Sequence, residues 1–174
     1  MYKIIILIML LSTQVYSNES IYEINLKDID GKRINLNDFK GKYILFVNVA
    51  SKCGFTKQYT SLEKLSKVYK DDLVIIGLPC NQFGGQEPGT ASQIQEFCSN
   101  NFNISFILTE KIDVKGKNQH PIYNWLTNKS YNGKKDSVVK WNFQKYIVNR
   151  EGELINYFYS LTNPLSAKIT DLIL

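Results

Sequence analysis

The chain is poor in histidine, arginine and cysteine, and each shortage narrows what it can do. Its 174 residues hold one histidine, two arginines and three cysteines. Cys53, Cys80, Cys98 and His120 have a spacing that fits no common zinc site, so no metal is expected. An odd cysteine count argues against a purely structural disulfide framework. No Cys-x-x-Cys occurs, because Cys53-Gly54-Phe55-Thr56 has threonine in fourth place; this argues against a thioredoxin-type disulfide exchanger. There are no internal repeats, low-complexity tracts or interdomain linkers. Nineteen lysines and two arginines oppose 16 acidic residues, for a formal charge of +5. These basic residues are scattered rather than striped and form no binding motif, so no nucleic-acid partner is expected.

What is present suits one globular domain with a packed core. The first 17 residues read as a leader. Lys3 supplies a positive start, Ile4 to Leu11 is an unbroken apolar run, and Val15 and Ser17 stand at small-residue cleavage positions. The run is far shorter than the ~20 apolar residues of a membrane span. No cysteine precedes Cys53, which excludes lipid attachment at the cleavage site. The expected organisation is a signal peptide over 1–17 and one domain over 18–174, exported to a periplasmic or extracellular compartment. A misassigned start would leave the chain cytoplasmic.

Alternation over Ile21 to Leu26, a turn at Asp30-Gly31 and a return over Arg33 to Leu36 predict an N-terminal hairpin. Tyr43 to Val49 and Leu73 to Leu78 are nearly continuous apolar runs, as expected of strands buried on both faces. Between them, Leu62, Leu65 and Tyr69 at helical spacing predict a helix over Tyr59 to Tyr69, making a βαβ unit. Thr90 and Gln93 form a capping box for a second helix whose Ile94, Phe97 and Cys98 share a face. Ile104 to Leu108 is a third short strand. Pro121 opens a helix through Leu126. Lys145 to Val148 and Leu154 to Phe158 flank a turn at Arg150-Glu151-Gly152. Asn163 and Pro164 predict the start of a last helix, with Leu165, Ile169, Leu172 and Ile173 as its stripe. The order predicts an α/β protein: a mixed central sheet flanked by helices, of the thioredoxin-like kind, with an N-terminal hairpin.

The chemistry concentrates at Cys53, which follows the first buried strand and precedes the first helix. Backbone N–H groups at such a junction lack intrahelical partners and favour thiolate, the nucleophilic form. The run Asn48-Val49-Ala50-Ser51-Lys52-Cys53-Gly54-Phe55-Thr56 resembles the first signature of glutathione peroxidases. Leu78-Pro79-Cys80-Asn81-Gln82-Phe83-Gly84-Gly85-Gln86-Glu87-Pro88-Gly89 resembles the second, and Val139-Lys140-Trp141-Asn142-Phe143 the third. The resemblance extends from about Ile21 to the C-terminus.

That resemblance implies a catalytic tetrad of Cys53, Gln86, Trp141 and Asn142 and a thiol peroxidase acting on hydrogen peroxide or organic and lipid hydroperoxides, with no cofactor. The two amides and the indole are neutral donors suited to an anionic sulfur. None is a general base, and His120 is not a family catalytic residue, so a cysteine-protease dyad is disfavoured. Cys98 matches the resolving cysteine of members that form a disulfide and are reduced by thioredoxin; its other reading is a small core residue. Cys80 reads as structural, and Lys52 as either a solvated lysine or a source of positive potential. Arginine scarcity weakens a dedicated glutathione site. The reductant is thus a thioredoxin-like protein or glutathione. The short stretch between Trp125 and Val138 resembles monomeric members. Ile107 stands where the family usually has proline. The alternatives left open are a thiol-disulfide oxidoreductase and a peroxide-sensing redox relay.

Overall fold

The computed structural model describes residues 20–173; the expected leader over 1–17 lies outside the described residues. Two short strands, β1 (Leu26–Lys27) and β2 (Arg33–Ile34), pair antiparallel as the N-terminal hairpin. It is shorter than the alternation predicts, because Ile21–Glu23 and Leu36–Phe39 wind into single 3-10 turns. Asp28 Oδ1 accepts from the Asp30 and Lys32 amides and so shapes the turn, a local bond that competes with strand pairing.

The main sheet has the order β5-β4-β3-β6-β7. Its centre is β3 (Tyr43–Val49), parallel to β4 (Leu73–Pro79) and antiparallel to β6 (Lys145–Val148). β5 (Ile107–Leu108) and β7 (Leu154–Phe158) form the edges. β5 is shorter than the expected Ile104–Leu108. Ile107 pairs in register with Ile76 there, so the residue that replaces the usual proline lies in an extended edge strand.

Helix α1 (Gln58–Val68) links β3 to β4, and α2 (Ala91–Phe102) links β4 to β5. The α2 capping box forms as the sequence predicts: Thr90 Oγ1 accepts from Gln93 N at 3.3 Å, and Gln93 Oε1 from Thr90 N at 2.9 Å. Such a cap stabilises a helix by about 1 kcal/mol. His120 accepts from Ile122 N through Nδ1 and caps α3 (Pro121–Thr127), which gives the single histidine a structural task. A one-turn helix α4 (Lys129–Asn132) follows, unforeseen in the sequence.

The last helix is a correction. Asn163 Oδ1 does accept from Leu165 N, but the helix α5 spans only Ala167–Thr170. Leu165 is exposed, while Ile169 and Ile173 are buried. Asn163-Pro164 forms a turn ahead of the helix rather than its first turn.

Apolar residues on alternating positions of β3 divide the core. Ile44 and Phe46 pack with α3 and the N-terminal hairpin, whereas Leu45, Val47 and Val49 pack with α1, α2 and α5. Each fully buried Leu, Ile, Val or Phe side chain contributes roughly 1.5–3 kcal/mol. Parallel β3 and β4 end together at Val49 and Pro79, and the chain segments of the candidate site leave from that edge. In open α/β sheets, ligands commonly bind outside the carboxyl ends of the strands.

Candidate active site

Cys53 sits in a run of turns between β3 and α1, five positions before the helix begins. It is nearly buried, at 9% exposure. The amide that meets its sulfur is Phe55 N–H, 3.4 Å from Sγ, rather than one of the first helical amides. Thr56 closes the turn: its hydroxyl accepts from Cys53 N at 3.0 Å and donates to Ala50 O at 2.9 Å. The residue in the fourth place of Cys-x-x-Thr therefore braces the cysteine loop.

Gln86 is brought to this loop by its own backbone, since Lys52 N–H donates to Gln86 O at 3.0 Å. The preceding Gly84 and Gly85 both take positive φ, 65° and 64°, a region that side-chain-bearing residues adopt only at a cost. The Gln86 side chain lies against Gly84, where a Cβ would stand 3.6 Å from its Cγ. Gln86 Oε1 accepts from Asn142 Nδ2 at 3.0 Å. With Oε1 engaged, Nε2 is the donor end left to Gln86.

Asn48, the single polar residue within β3, holds the third segment. Its Nδ2 donates to Trp141 O at 3.0 Å, its Oδ1 accepts from Gln144 N at 3.0 Å, and its carbonyl accepts from Phe143 N at 2.6 Å. This clamp maintains Phe143 at φ 62°, an unfavourable conformation for a bulky residue. The Phe143 ring is fully buried and meets Tyr59 edge-on, with centroids 5.4 Å apart. Trp141 is 39% exposed and packs on Phe83 at 5.7 Å. Asn142 is fully buried, and its Oδ1 has no hydrogen-bond partner among the described residues.

The structure thus bonds Gln86 directly to Asn142, and it ties the Cys53 and Trp141 segments to them through Lys52 and Asn48. Cys98 stands apart on α2, buried, in the same core cluster as Cys53. All three cysteines are free thiols. Burial pushes the Cys98 thiol up to about 11; the Tyr59 hydroxyl beside it works against this, and the Glu87 carboxyl adds to it. Cys80 is fully buried and accepts from Gln82 N at 3.5 Å. Burial raises its thiol too, in keeping with a structural thiol. Lys52 is exposed. Among the described residues, no three His, Cys, Asp or Glu groups are placed to hold a metal, and no helix is long and apolar enough to cross a membrane.

The residues that sequence reasoning passed over are polar and buried or half-buried. Ser51 Oγ donates to Glu87 Oε2 at 2.9 Å. Glu87 is 1% exposed, and burial raises its carboxyl. A groove of about 510 Å3 opens beside this pair, between Lys52 and the Gln93, Ile94 and Phe97 face of α2. Asn48 had one usable signal, a polar residue inside an apolar strand. Arg150 is committed elsewhere: it bonds Gly41 O and Asp72 near the start of β3, at the opposite end of that strand from Cys53.

A family model described as glutathione peroxidase matches residues 21–127. The chain belongs to the glutathione peroxidase family. Among the family's curated members, it is 47% identical to glutathione peroxidase-like peroxiredoxin 2 of Saccharomyces cerevisiae, over 84% of this chain and 91% of that protein. It is 44% identical to the glutathione peroxidase homolog BsaA of Bacillus subtilis, over 83% and 91% respectively. Among solved structures, one described as Trgpx in apo form aligns with a TM-score of 0.68 and 37% identity, covering 88% of this chain and 93% of that one. A thioredoxin-family thiol:disulfide interchange protein of Chlorobium tepidum aligns with a TM-score of 0.64 at 11% identity; this shows the fold alone. The α/β thioredoxin-like architecture read from the order of elements is therefore the fold of the protein.

Proposed function

We propose that this member of the family reduces hydroperoxides with Cys53 as the attacking thiol, and that Gln86, Trp141 and Asn142 serve as its neutral donors. Attack of the Cys53 thiolate on ROOH breaks the O–O bond, leaves sulfenic acid on sulfur, and releases ROH after one proton is taken up. Donors aimed at the reacting atoms stabilise charge on sulfur beforehand and on oxygen as it leaves. The observation that carries this reading is the Asn142–Gln86 hydrogen bond beside the loop of Cys53.

Cys98 is the resolving thiol in this reading. Cys98–SH and Cys53–SOH give the disulfide and water, and two reductant thiols reopen it. A disulfide needs Cα atoms within ~7 Å, and Cys98 is buried with a thiol raised to about 11. In this reading α2 loosens around Cys98 as the disulfide closes. The electron donor is a thioredoxin-like protein, with glutathione as the second choice; arginine, the side chain suited to clasping a carboxylate, occurs only twice, and Arg150 is bonded to Gly41 and Asp72. The chain acts as a monomer, and the pattern of residues 1–17 supports export.

The test is peroxide consumption by the protein without residues 1–17, coupled either to thioredoxin with its reductase or to glutathione with its own. Faster turnover with thioredoxin, and a Cys53–Cys98 disulfide in the oxidised protein by mass mapping, is the expected result. Equal or faster turnover with glutathione and no such disulfide would overturn the resolving role.

A further inference from the structure

We infer that Lys145 is a positioning residue for the peroxide reaction: its buried ammonium fastens the start of α1 to the segment that carries Asn142. The inference rests on the reading of Cys53 as the attacking thiol.

Lys145 is fully buried on β6. Its cross-strand neighbours, Val47 and Phe158, are apolar. A lysine in such a place ordinarily faces a carboxylate. Here the ammonium donates instead to three neutral oxygens: Gln58 Oε1, Thr162 O at 2.7 Å and Ser160 O at 3.3 Å. An ammonium has three donors, so the set is filled.

From Gln58 the bonds run in two directions. Its Nε2 donates to Ser160 O at 2.6 Å, and Ser160 Oγ donates to Asn142 O at 2.6 Å; Asn142 in turn donates to Gln86. Its backbone N–H donates to Phe55 O at 2.8 Å, and Phe55 N–H meets Cys53 Sγ. One residue, Gln58, therefore links the two: its backbone holds the cysteine loop, and its side chain reaches the donor loop through Ser160. The ammonium decides which way its amide points, because Oε1 must face the cation.

Among the described residues no ionised partner accompanies it. From α1, Glu63 is turned to Ser105 and Lys67, and Lys57, just before the helix, is exposed. From α5, Lys168 and Asp171 are exposed. The segment after β7 offers carbonyl oxygens. Burial without a counter-charge lowers the Lys145 ammonium from 10.5 to about 7. On deprotonation an amine keeps two donors and turns a lone pair towards three oxygens, so the clamp loosens. The clamp is complete below about pH 7 and incomplete above it.

The test is the single-turnover rate of Cys53 with hydrogen peroxide in the wild type and in Lys145→Met, compared from about pH 6 to about pH 8.5. Each rate is divided by the thiolate fraction of the same protein, followed by thiolate absorbance over the same pH range, so that a shifted Cys53 titration is not mistaken for the clamp. A ratio of about tenfold or more at low pH, shrinking several-fold as pH rises past 7, is the expected result. A ratio near one throughout, or one that is constant with pH, overturns the inference. Should the buried methionine prevent folding, Gln58→Met replaces it; a rate at low pH equal to wild type then overturns the inference. A wild-type protein whose Cys53 does not react with peroxide overturns the underlying reading instead, and the wild-type trace alone reveals it.

Discussion

Asn142 donates from Nδ2 to Gln86 Oε1 at 3.0 Å, joining two amides 56 residues apart in sequence. The pair sets each amide's orientation. Neither side chain is held so by its own loop alone, which makes the bond a target for dissection.

Asn142→Ala should lower the rate of Cys53 oxidation by about 10²-fold, the usual cost of one well-placed donor. Asn142→Asp should lower it further, since a carboxylate would face Gln86 Oε1 and repel an anionic sulfur. Stopped-flow peroxide kinetics measures both. Residues in direct contact do not contribute additively; the Gln86→Ala, Asn142→Ala double variant should lose less than the sum of the single losses.

Cys98→Ser should allow one oxidation of Cys53 per chain and then stall with thioredoxin as reductant. Sustained turnover in that variant would remove Cys98 from the cycle. In the wild type, hydrogen exchange at the end of α2, around Cys98 to Phe102, should quicken on oxidation. Equal protection in both redox states would contradict the need for α2 to loosen.

The capping box offers a way to shift that step. Thr90→Ala removes the bond to Gln93 N and should weaken α2 by about 1 kcal/mol. If closure of the disulfide proceeds through an unwound α2, that change speeds it by about fivefold. The rate of the tryptophan fluorescence change after peroxide addition reports it, and a slower or unchanged rate would show that closure does not pass through that state.

Stability should rise with pH up to about 9, level off, and fall above about 10. Lys145 falls from 10.5 to about 7 in the fold. Between these values the unfolded chain holds a proton that the folded chain lacks, so this residue makes stability rise with pH. Cys98 is raised from 9.0 to about 11 and Tyr146 from 10.0 to about 12. Above their unfolded values the folded chain holds the extra protons, and stability falls. Thermal unfolding should show the wild type gaining on Lys145→Met between about pH 7 and 9, and losing absolute stability above about pH 10.

The strands and the two main helices were legible because burial on both faces writes continuous apolar runs, and a capping box is a local code. The failures are equally local. Asp28 turns the chain early by bonding its own neighbours, and Asn163-Pro164 makes a turn that resembles a helix start. The motifs identified Cys53, Gln86, Trp141 and Asn142 as candidates, but nothing in their spacing showed the joint between Gln86 and Asn142. Nor could periodicity show Phe143 held at positive φ by Asn48, since that conformation is imposed by a strand 95 positions away in the chain. Lys145 was the least legible: a lysine beginning a strand reads as a solvated end, and only the oxygens of Gln58, Ser160 and Thr162 explain its burial.

The chemistry depends on which sulfur meets peroxide first. Cys98→Ser protein mixed with one equivalent of hydrogen peroxide, trapped with a sulfenic-acid reagent and mapped by mass spectrometry, answers this directly. Label on Cys53 in nearly every chain, with Cys80 unlabelled and with no reaction once Cys53→Ser is added, is the predicted result. Label on Cys80, or peroxide consumed at the same rate after Cys53→Ser, would contradict it.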